Sequence, residues 1–87
     1  MTKKQQHKEI NKAVYEFAAS IGYDALDEGE GGRITFAKAG VKNWRDTIEY
    51  HLSRHEACTV NGASSEVETD CELINSYAAH KQLLTAL

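Results

Sequence analysis

Proline is absent from this chain of 87 residues. Average usage near 5% predicts about four, so nothing in the sequence forces a break in a long helix. No apolar run approaches the ~20 residues of a membrane-spanning helix. The opening MTKKQQHKEINK contains no apolar core of a signal peptide. Cysteine occurs only as Cys58 and Cys71, too few for a disulfide-built scaffold. Without a secretory signal, both are expected to be reduced thiols in a cytoplasmic protein. Excess positive charge is also missing. The net charge is −3, which argues against non-specific nucleic-acid binding, since that needs lysines and arginines to displace counterions.

What is present is ordinary globular composition, 41% apolar and 26% charged, which argues against disorder. The length fits a single domain over residues 1–87. A chain this short buries roughly 60–65% of its unfolded surface. One modest core is therefore expected, and self-association, as a homo-oligomer, would help it. Charge is segregated along the chain. Lys3, Lys4, Lys8 and Lys12 form a basic start. Asp24, Asp27, Glu28 and Glu30 form one acidic group, and Glu66, Glu68, Asp70 and Glu72 another. Such bipolarity steers a charged partner.

Residues 4–21 read as a helix, with Ile10, Val14, Phe17, Ala18 and Ile21 on one stripe. Gly22 follows where helices commonly stop. Residues 33–38 alternate and contain β-formers, so they read as a strand. Residues 23–26 are a weaker strand candidate, and the glycines at 29, 31 and 32 would form the hairpin loop between the two. Asn43 is a good N-cap, which predicts a second helix over 44–58. Residues 59–64 read as a loop around Asn61-Gly62. Ser65-x-x-Glu68 is a capping box opening a third helix, with Val67, Cys71, Ile74 and Ala78 on one face. The expected fold is α+β and mainly helical: three helices and one small antiparallel β-hairpin, in the order α-β-β-α-α. Phe17, Ile21, Trp44, Ile48, Leu52, Val67 and Ile74 form the expected core.

The stretch HLSRHEAC raises metal chemistry. On a helix, His51, His55 and Cys58 share a face, and Cys71 could add a fourth ligand for zinc. The spacing H-x3-H-x2-C-x12-C matches no familiar zinc module. His55 also falls on the apolar stripe of Trp44, Ile48 and Leu52, where a packed histidine is the simpler reading. HLSRH lacks the glutamate base of a zinc protease helix. Cys58 with His51 or His55 supplies the residue types of a nucleophilic pair, but on one helix rather than across a cleft. The loop DALDEGEGG has oxygens without the spacing of a calcium loop. No catalytic residue, cofactor or metal site is therefore assigned.

By elimination, the sequence points to a small acidic protein-binding module, an inhibitor, adaptor or accessory factor that acts without catalysis on a protein with a basic surface. Tyr50 lies off the apolar stripe, and Leu83 and Leu87 look outward at the chain end. With Asp27, Glu28, Glu30, Glu68 and Glu72 they form the expected partner surface. The alternative is a helix-turn-helix-like DNA-binding regulator using residues 42–54, with Gly40-Val41 as its turn. Residues 33–38 look more like a strand than a first helix, and Asp46 and Glu49 oppose phosphate. A zinc-stabilised domain is the second alternative.

Overall fold

Residues 44–58 are not a helix. In the computed structural model, which describes residues 2–40 and 43–86, they form a 3-10 turn and a β-hairpin. Asn43 does act as a cap: its side chain accepts from the Arg45 backbone N–H at 3.1 Å. The turn it starts ends after Asp46, and strand β3 (Thr47–His51) follows. Thr47, Ile48 and Tyr50 are β-formers. The true period is two: Ile48 and Tyr50 point into the core, while Glu49 and His51 point away. β4 (Glu56–Thr59) returns beside β3.

The element order is α1 (Lys3–Ser20), β1 (Tyr23–Ala25), β2 (Arg33–Lys38), β3, β4, α2 (Ser65–Ala86), with short 3-10 turns at Glu30–Gly32 and Trp44–Asp46. The expected three helices and single hairpin are thus corrected. Among the described residues there are two α-helices and a four-stranded antiparallel sheet in the order β1-β2-β3-β4. The recognition helix of the DNA-binding alternative is absent, because residues 47–51 are strand. Val41 and Lys42, which that alternative used, lie outside the described residues.

Other elements match the sequence pattern. α1 opens with a capping box between Thr2 and Gln5. Gly22, at φ 95°, takes the left-handed turn into β1. β2 occupies residues 33–38 as expected, and β1 pairs with it antiparallel, Asp24 opposite Ala37. α2 begins at Ser65, but Ser64 is its cap, accepting from the Val67 N–H at 3.3 Å.

Both helices lie against one face of the sheet. Ile10, Val14 and Ala18 from α1 and Val67, Cys71, Ile74 and Ala78 from α2 meet Tyr23, Ile34, Phe36, Ile48, Tyr50 and Ala57 from the strands. Full burial of each large apolar side chain contributes about 1.5–3 kcal/mol. Phe17 and Tyr77 stack across the helix pair, ring centroids 4.4 Å apart. The Tyr23 hydroxyl donates to the Asp70 carboxylate at 2.7 Å and ties β1 to α2. Burial and that carboxylate both push the phenol well above its usual range. Lys38 pairs with Glu66 at the start of α2.

Candidate functional site

Neither α-helix covers the other face of the sheet, where the Trp44–Asp46 turn lies against β2, and strand register fixes what stands on it. One row crosses Asp24, Ala37 and Thr47. Val60, one step past the Ile48–Thr59 pair, extends it. The next row holds Thr35, Glu49 and Cys58, and the third Arg33, His51 and Glu56. The face is apolar at one end and rich in ligating and charged groups at the other.

At the apolar end, Leu26, Thr35, Ala37, Asn43, Trp44, Thr47 and Val60 line an open groove of about 470 Å³. The Thr47 hydroxyl donates to the Trp44 carbonyl at 2.8 Å and holds the turn against the strand. Trp44 is 66% exposed and Leu26 is 64% exposed. Trp44 was expected in the core. Once residues 44–46 form a turn rather than the first coil of a helix, its ring lies over the uncovered face instead. The Arg45 guanidinium sits 5.2 Å from the centre of that ring, a cation–π contact. Asp24 stands beside Ala37 on this face, and Glu49, in the next row, is approached by Arg33.

At the polar end, His51 Nε2 lies 3.5 Å from Cys58 Sγ. Ligand atoms of Glu49, His51 and Cys58 all lie within 4.8 Å of one another. The Arg33 guanidinium approaches the Glu49 carboxylate at 3.8 Å.

The structure divides the four residues first grouped for metal binding. His51 and Cys58 come together because β3 and β4 are antiparallel neighbours. Cys71, on α2, is buried in the core, its thiol pushed up to about 11, chiefly by burial. His55 is buried on the helix side of the sheet at the β3–β4 turn, with φ 51°. Its Nδ1–H donates to Asn11 Oδ1 at 2.9 Å, and its Nε2 lies 2.6 Å from His7 Nδ1. Asn11 Oδ1 also accepts from the Tyr50 hydroxyl at 3.0 Å. With Nδ1 donating, Nε2 of His55 is the acceptor of the His7 N–H. Burial, and then the neighbouring His7, lower the His55 pKa.

The expected partner residues also separate. Tyr50 is not on the surface: it is fully buried against Phe36 and Asn11, and burial raises its phenol pKa. Asp27 serves its own loop, accepting from the Gly29 and Thr35 N–H groups. Glu28, Glu30, Glu68 and Glu72 are exposed. Leu83 is 69% exposed on α2, and Leu87 lies outside the described residues. Glu49, Leu26 and Val60 were missed. The signal for Glu49 was the alternation Glu49-x-His51, legible only with a period of two.

Comparison of the chain with protein-family models, curated proteins and solved structures finds no match.

Proposed function

We propose that this protein is a protein-binding module, acting without catalysis, whose uncovered sheet face receives a basic segment of a partner protein. The observation that carries this reading is the exposure of Trp44 and Leu26 over an apolar groove, with Asp24 beside the groove residue Ala37. Tryptophan and arginine are enriched at binding hot spots, and here Arg45 and Trp44 stand together. An apolar side chain of the partner fills the groove, and a flanking lysine or arginine meets Asp24, which stands beside Ala37. The exposed Glu28 and Glu30 add to the field that draws such a segment in.

The test is selection of a displayed random-peptide library on the immobilised full chain. The expected winners carry an aromatic or aliphatic residue flanked by lysine or arginine. Their affinity falls with added salt and drops by about 2 kcal/mol or more in Trp44→Ala. Winners that are acidic, or that bind Trp44→Ala equally well, refute the reading.

A further inference from the structure

We propose that Glu49, His51 and Cys58 form a zinc site on the uncovered sheet face. The donor set is a thiolate, an imidazole and a carboxylate, which suits zinc and is too soft for magnesium or calcium. In a tetrahedral zinc site, Zn–S near 2.3 Å and Zn–N near 2.0 Å place sulfur and nitrogen about 3.5 Å apart. His51 Nε2 and Cys58 Sγ stand 3.5 Å apart, and a Glu49 oxygen lies within 4.8 Å of both.

Backbone pairing already sets this arrangement. Glu49 and His51 are two apart on β3 and share a face, and Cys58 is the cross-strand partner of Glu49. No loop has to close to bring the ligands together. Two anionic ligands neutralise a divalent ion, and zinc binding releases the Cys58 thiol proton to solvent. Arg33, 3.8 Å from one Glu49 oxygen, holds that carboxylate from outside as an outer-shell partner does. Three protein ligands leave the fourth position to water. Glu56 stands opposite His51 in the same row and adds negative charge beside the site.

The experiment uses tag-free full-length protein and cobalt(II) as a spectroscopic substitute for zinc. The wild type is expected to take up about one equivalent, showing thiolate-to-cobalt charge transfer and intense tetrahedral d–d bands. Added zinc should bleach both. Cys58→Ser and His51→Gln should lose the bands, while His80→Gln, on α2, keeps them. Absence of bands in the wild type, or bands that survive Cys58→Ser, overturns the site. On the unmutated protein, zinc-edge X-ray absorption should report one sulfur at about 2.3 Å. A ligand shell with no sulfur overturns it independently of how any variant folds.

Discussion

The Asn75 side chain grips the backbone of Ala57 by both of its groups. Asn75 Oδ1 accepts from the Ala57 N–H at 2.7 Å, and its Nδ2 donates to the Ala57 carbonyl at 2.8 Å. An amide from α2 thus completes the hydrogen bonding of β4, the last strand of the sheet, as a neighbouring strand would. Edge strands with free backbone groups invite pairing with another chain, and this contact occupies that edge at its middle.

Asn75→Ala should therefore destabilise the fold. Two part-buried backbone groups lose their partners, at a cost of about 1–3 kcal/mol. Chemical denaturation measures the loss. The variant should also show faster amide exchange at Ala57, whereas Ser76→Ala, on the exposed side of α2, should change neither.

Acid should weaken the fold through His55. Its folded-state pKa is lowered by burial and by His7, so the unfolded chain binds the proton more readily. Stability then rises with pH where the unfolded state holds more protons. His55 leaves the fold at full strength above the unfolded histidine value near 6.5. That contribution is lost as pH falls below this value and through the lowered folded pKa. Melting temperature from pH 8 to pH 5, on the order of one unit either side of the histidine range, should fall more steeply in wild type than in His55→Asn. Asparagine tolerates the left-handed backbone at this position and carries no titrating proton.

Trp44 should fluoresce as a solvent-exposed indole. Its emission should be red-shifted and readily quenched by acrylamide, because the ring is largely exposed. A core tryptophan would emit to the blue and resist quenching. Trp44→Ala should change stability by no more than about 0.5 kcal/mol, as for other surface substitutions.

The two thiols should separate by reactivity in metal-free protein. Cys58 is exposed and Cys71 is buried, with its thiol pushed up to about 11 by burial. Reactivity requires thiolate and access. Ellman's reagent should therefore titrate one thiol quickly in the folded state and the second only on unfolding. Cys58→Ser should abolish the fast phase.

Where local pattern and tertiary context agreed, the sequence was readable. The face Val67–Cys71–Ile74–Ala78 is the face α2 buries, and residues 33–38 are a strand because alternation and β-propensity coincide there. Residues 44–58 were misread for a physical reason. Trp44, Ile48, Leu52 and His55 satisfy helical spacing while Ile48 and Tyr50 satisfy strand spacing, and no glycine, proline or asparagine marks the turn between β3 and β4. His55 takes the left-handed conformation itself, held by Asn11 and His7. The candidate site was partly legible as residue types in His51 and Cys58. Glu49 entered only through the register that sets it opposite Cys58, and a register is a property of paired strands rather than of one segment.

The Phe17–Tyr77 stack has a kinetic consequence. Every strand connection in the sheet is a local antiparallel return, so the strands can find one another by closing short loops. The two helices meet only by joining the opposite ends of the chain, the contact with the greatest loop-closure entropy. Helix docking is therefore expected to be the last and slowest event of folding. Phe17→Ala should accelerate unfolding far more than it slows any earlier assembly of the sheet.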